Sequence, residues 1–185
     1  MRENKRYRER KSIRLKGWDY RTPAWYFITI CTKEKQHFFG EIRKGIIGLS
    51  ETGIVAYQNW AAIPDHFDHI KLDVFIVMPN HVHGLIGIME RPVKPDNHVQ
   101  SNNPEHSHNP VETRNFASLQ DTGINKRQFG PLKSGSISTV IHTYKSSVTR
   151  WARKNGYPSF AWQSRFHDHI VRNDESFNRI QNYII

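Results

Sequence analysis

The chain has 185 residues, enough for one hydrophobic core and too few for two of ordinary size. Hydrophobic residues make up 37%, and Lys+Arg outnumber Asp+Glu by 27 to 17, giving a formal charge of +10 with histidine neutral. That excess points to a polyanionic partner or an anionic surface; the longest apolar runs are too short to span a bilayer, and a single cysteine, Cys31, excludes an intrachain disulfide.

Residues 2–16 hold eight basic side chains against two acidic ones, so this arm supplies +6 of the +10. It reads as a basic N-terminal arm within residues 1–20, preceding a single domain over 21–185. Arg6, Arg8, Arg10, Lys11, Arg14 and Lys16 suit either a solvated tail or a segment that follows phosphates. No apolar signal segment follows the arm, which with the cysteine usage makes the cytoplasm the expected location.

The run AWYFITICT over 24–32 is aromatic and β-branched and predicts a first strand. Ser50 can cap a helix over about 50–63, whose Ala56, Tyr57, Trp60 and Ile63 recur at helical spacing before Pro64 ends it. Residues 70–78 and 82–90 predict two strands joined as a hairpin at Pro79 and Asn80.

Residues 91–134 break the pattern, with five of the nine prolines, six asparagines and only eight Val, Leu, Ile or Phe residues in 44 positions. Such a stretch cannot bury enough apolar area to offset its ordering entropy, and it reads as a flexible insertion. Its His98, His106 and His108 show no fixed metal spacing.

Ile137, Val140, Ile141, Tyr144, Val148 and Trp151 then line one face of an amphipathic helix ending near Gly156. Lys145, Arg150, Arg153 and Lys154 on its flanks fit solvent as well as phosphate. Residues 166–172 predict a fourth strand, and Asn173 caps a last helix that opens with Asp174 and Glu175. The order β, α, β, β, α, β, α is that of an α+β, ferredoxin-like split βαβ fold, a four-stranded antiparallel sheet with helices on one face.

His81 and His83 alternate onto one face of their strand, with Leu85 continuing the row, and form a plausible divalent-metal half-site. A bare His-x-His is common by chance, so its setting matters. The stretch VMPNHVHGLIGI resembles the HUH motif of single-tyrosine transposases, above all the REP-associated tyrosine transposases. RKSIRLKGWDY, YFITICT and WQSRFHDHIVRNDESFNRIQNYII are similar to the same family, so the resemblance covers the chain apart from the insertion.

The resemblance implies a metal-dependent DNA transposase, a nuclease that cleaves and rejoins single-stranded or hairpin DNA through a 5′-phosphotyrosine. It implies His81 and His83 as metal ligands, Mg2+ or Mn2+ as cofactor, and a bacterial, nucleoid-associated setting. Tyr183, in the context RIQNYII, matches the family's nucleophile. By helical geometry it falls outside the Phe177, Ile180, Ile184 stripe, whereas Tyr144 falls inside the stripe of its own helix, where core packing is expected. The family's third ligand, Gln or Asn one turn after the nucleophile, would fall at position 187, beyond Ile185. His167 and His169 share a strand face and stay unassigned, and monomer or homodimer stays open. The competing readings are a non-catalytic nucleic-acid-binding protein of the same fold and a basic RNA-binding module.

Deleting residues 1–16 is expected to weaken DNA binding across sequences. Each lost phosphate contact should flatten the log-log salt slope by about 0.7 for single strands. Binding titrations over a salt series check this, and an unchanged slope would show the arm to be a solvated tail.

Overall fold

A computed structural model describes residues 14, 15, 17–90 and 133–185; the remainder of the basic arm and nearly all of the 91–134 stretch lie outside the described residues. The main sheet has the strand order β4-β5-β1-β6 and is antiparallel throughout. Its strands are β1 (Ala24–Cys31), β4 (Ile70–Met78), β5 (His81–Ile88) and β6 (His167–Val171). This is the expected ferredoxin-like arrangement. Two further strands, β2 (Gly40–Arg43) and β3 (Ile46–Leu49), form a separate hairpin that the sequence did not announce. Its turn uses Lys44 and Gly45, both at positive φ, which matches the right-handed twist of the flanking strands.

The helices α1 and α4 begin at the two caps the sequence offered, Ser50 and Asn173. Ser50 Oγ accepts from the Gly53 amide at 3.1 Å to open α1 (Glu51–Ala61). Ser136 caps α3 (Ile137–Lys154), and Asn173 Oδ1 accepts from the Ser176 amide at 2.9 Å to open α4 (Asp174–Ile184). Pro64 stands at the start of a further single turn, α2 (Ile63–His66), where its missing N–H costs nothing.

Alternation along the central strands sorts the core into two layers. Tyr26, Ile28 and Ile30 of β1 and Val82, Ile86 and Ile88 of β5 pack with Trp60 of α1 and with Val140, Ile141, Tyr144 and Val148 of α3. Tyr144 is buried, and its hydroxyl donates to the Ala56 carbonyl at 3.1 Å, so it is the core residue its stripe predicted. The other face carries Trp25, Phe27, Val74, Ile76, Leu85 and Val171, against which Phe177, Ile180 and Ile184 of α4 pack.

Helices on one face was the expectation, and α4 departs from it. The physical reason is that the second face still carries Trp25, Phe27, Val74, Ile76, Leu85 and Val171, an apolar patch on which the α4 stripe can bury. Gln181 Nε2 of α4 donates to Asp73 Oδ1 at 2.6 Å, at the irregularity in β4 where the register with β5 shifts between Leu72 and Phe75.

Gly84, immediately after His83, lets Trp60 lie against the sheet. A Cβ there would meet Trp60 Cζ2 at 2.5 Å and Phe75 Cβ at 2.9 Å. Gly84→Ala is therefore expected to destabilise the fold by about 1–3 kcal/mol through overpacking. Urea unfolding measures it; an unchanged midpoint would contradict the tight contact.

Candidate active site

The antiparallel register of β1 and β5 places Thr29 opposite His83 and Cys31 opposite His81. Paired residues share a face, so both histidines lie on the side of the sheet covered by α4. The two rings are 4.4 Å apart between centroids and nearly perpendicular, and His83 stacks on Phe27 at 5.4 Å. From α4, Tyr183 presents its ring to His83 at 5.6 Å and to Phe27 at 6.2 Å, edge-on to both. Tyr183 is 67% exposed. A helix shoulder thus brings a solvent-facing phenol beside His83, whose ring in turn adjoins that of His81.

Both imidazoles are tied at Nδ1. His81 Nδ1 lies 2.6 Å from Asn80 Oδ1, and His83 Nδ1 lies 2.9 Å from Thr29 Oγ1. Burial lowers the His81 pKa, with Lys35 adding to the effect; burial and then the neighbouring His81 bring His83 down to about 4. At neutral pH the pair is uncharged, the form in which imidazole binds metals.

The donor set fits two positions of a divalent-cation shell. Among the described residues no group of three or more His, Cys, Asp or Glu side chains is placed to hold a metal. Cys31 faces the same side as His81, but burial pushes its thiol up from the ordinary range and disfavours the thiolate. His167 and His169 also share this face, opposite Thr29 and Phe27. His167 stands in the row of His83 with β1 between them, about 9.5 Å away across two strand spacings.

The described cationic candidates Arg14, Lys145, Arg150, Arg153 and Lys154 lie away from the histidine pair. Arg14 Nε meets Asp168 Oδ1 at 3.2 Å, its Nη1 meets Ser138 Oγ at 2.8 Å, and its guanidinium stacks on Tyr20 and Phe166. It secures the N-terminal segment to β6 and α3. Lys145 Nζ donates to the Gln163 carbonyl at 2.6 Å, and burial brings its pKa down to about 8. Arg150, Arg153 and Lys154 are exposed on α3, across the sheet from His81 and His83. Arg6, Arg8, Arg10, Lys11 and Lys16 lie outside the described residues.

Sequence reasoning missed three contributors: Asn80, Thr29 and the turn carrying Lys35. Asn80 was legible as the residue before His81 in a turn. Thr29 became visible only through register, and Lys35 only through tertiary contact.

No family model matches the chain. An uncharacterized protein of Haemophilus influenzae is 35% identical over 175 residues, covering 95% of this chain and 86% of that protein. The chain belongs to the same family as that protein. Among solved structures, a REP-associated tyrosine transposase bound to a REP hairpin is similar at a TM-score of 0.49 and 12% identity, covering 87% of this chain. The chain spans 64% of the length of that structure. A Deinococcus radiodurans chain described as a candidate transposase is similar at a TM-score of 0.43 and 13% identity, covering 92% of this chain and 94% of that one.

The lowered pKa of His83 has a sign that can be measured. Between about 4 and its ordinary 6.5 the unfolded chain binds more protons than the folded one, so stability falls as pH drops through that window. Urea unfolding at pH 7.5, 5.5 and 4.5 is expected to show this decline, with a shallower one in His83→Asn. Equal slopes would contradict a desolvated imidazole.

Proposed function

We propose that this chain cleaves and rejoins single-stranded or hairpin DNA, with Tyr183 as nucleophile and His81 and His83 as ligands of a divalent cation. The observation that supports it best is the convergence of an exposed phenol on two neutral histidines across one face of the sheet, with ring centroids of Tyr183 and His83 at 5.6 Å. The resemblance of VMPNHVHGLIGI and RIQNYII to single-tyrosine transposases assigns the same residues the same roles.

The Tyr183 oxygen attacks a backbone phosphorus and loses its proton to solvent. The new P–O bond links the tyrosine to the 5′-phosphate, the bond to the 3′-oxygen breaks, and that oxygen takes up a proton to leave as a hydroxyl. Reversal by a 3′-hydroxyl rejoins the strand with no external energy source, because the phosphodiester energy is kept in the phosphotyrosine.

A phenol is a poor nucleophile at its reference pKa of ~10. His81 and His83 would hold Mg2+ or Mn2+, which when bound would supply positive charge for the phosphoryl oxygens and for the forming phenolate. Phe27 backs both His83 and Tyr183 and limits the space between them. The basic arm adds affinity without sequence preference, and a DNA-processing enzyme of this kind would work in the bacterial cytoplasm, at the nucleoid.

Tyr183→Phe is expected to fold like the wild type, since it removes one exposed hydroxyl, and to lose the covalent DNA adduct entirely. Tyr144→Phe should keep the adduct at slightly lower stability, about 1 kcal/mol for one buried hydrogen bond. A denaturing gel with labelled hairpin oligonucleotide and Mn2+, followed by peptide mapping, reads both. An adduct that survives in Tyr183→Phe would sink the assignment.

A further inference from the structure

Asn80 occupies the two-residue turn between β4 and β5, and its backbone carbonyl, Nδ2 and Oδ1 each make a hydrogen bond. Its backbone carbonyl accepts from the Thr32 amide at 2.9 Å, and the hydroxyl of the fully buried Thr32, which donates to the Gln36 carbonyl at 2.7 Å, lies 3.0 Å from the same Asn80 oxygen. Its side-chain Nδ2 donates to the Lys35 carbonyl at 3.2 Å. A carbonyl can only accept, so that contact selects one of the two amide orientations and turns Oδ1 toward His81. Oδ1, 2.6 Å from His81 Nδ1, can only accept as well. The proton of the neutral imidazole must then sit on Nδ1, which leaves the Nε2 lone pair free.

The Lys35 carbonyl is aimed at some conformational cost. Glu34 and Lys35 both adopt positive φ, at 55° and 56°, in a turn held by the Lys35 amide on the Thr32 carbonyl and the Gln36 amide on the Lys33 carbonyl. Consecutive non-glycine residues in the left-handed region persist where surrounding contacts impose them, and such strain gathers at functional sites. Thr29 does not do the same for His83, because a hydroxyl can donate or accept and so leaves that tautomer open.

Resting on the reading of His81 and His83 as metal ligands, we propose that Asn80, oriented by the Lys35 carbonyl, is a positioning residue that fixes His81 as its Nδ1-protonated tautomer and presents Nε2 to the cation. Histidine ligands depend on such outer partners, whose loss typically weakens metal affinity 10–100-fold.

The test begins on metal-free 15N-labelled protein at pH 8, with His81 assigned by its absence in His81→Gln. Long-range 1H–15N correlation is expected to show Nδ1-protonated His81 in the wild type and the Nε2-protonated form, favoured by free imidazole in water, in Asn80→Ala. Asn80→Asp, which keeps an acceptor at this position, should restore the wild-type pattern. If Asn80→Ala does not fold, Asn80→Gly suits the turn and also lacks the acceptor. Mn2+ titration followed by electron paramagnetic resonance should show Kd raised about 10–100-fold in the acceptor-free variant and largely recovered in Asn80→Asp. Nε2-protonated His81 in the wild type, or a tautomer unmoved by Asn80→Ala, overturns the proposal whatever the metal does. The expected tautomers with no Mn2+ bound by the wild type overturn instead the metal reading, and with it the role of Nε2.

Discussion

The pairing of β1 with β5 is the constraint on which the rest depends. Thr29 sits opposite His83 and Cys31 opposite His81 because Ile28, Ile30, Val82 and Ile86 must face the helices α1 and α3. A slip of one residue would turn the histidines into that apolar layer and its isoleucines outward, a loss no local contact could offset. Burial of the core therefore fixes the aim of the polar row. Gly84 serves the same end by allowing Trp60 to seal the sheet directly behind the histidines.

The second face adds a helix to that row. Phe177, Ile180 and Ile184 bury against Trp25, Phe27, Leu85 and neighbouring aliphatic residues, and the helical repeat then leaves Tyr183 on the shoulder beside His83. Apolar packing sets the helix, and the hydrogen bond from Gln181 to Asp73 helps fix its position along β4. The site is assembled within one chain from residues about a hundred positions apart.

Charge is divided between structure and solvent. Arg14 and Lys145 spend their charge on Asp168 and on the Gln163 carbonyl, while Arg150, Arg153 and Lys154 remain exposed on the far side of the sheet. Burial keeps the two histidines themselves neutral, with Lys35 nearby adding to the effect on His81. Under the function proposed above, a neutral imidazole pair near an exposed phenol would gather a cation and a phosphate together and would not hold a phosphate by protein charge alone.

What the sequence determined by itself was periodic and local. Period-two runs marked β1, β4, β5 and β6, the stripes of Ile137 to Trp151 and of Phe177 to Ile184 marked α3 and α4, and Ser50 and Asn173 marked helix starts, since each signal acts within a few residues. The common face of His81 and His83 and the burial of Tyr144 followed from the same periodicities. The β2 and β3 hairpin was not legible, because four-residue strands whose Ile42 and Ile46 are exposed lack a core-facing pattern. Tertiary structure alone decided that α4 crosses to the second face, that Thr29 and Asn80 hold the imidazoles, and that Tyr183 reaches His83. Those facts depend on register and on which apolar surface remains uncovered after α1 and α3 have packed, and neither is written in any single stretch of chain.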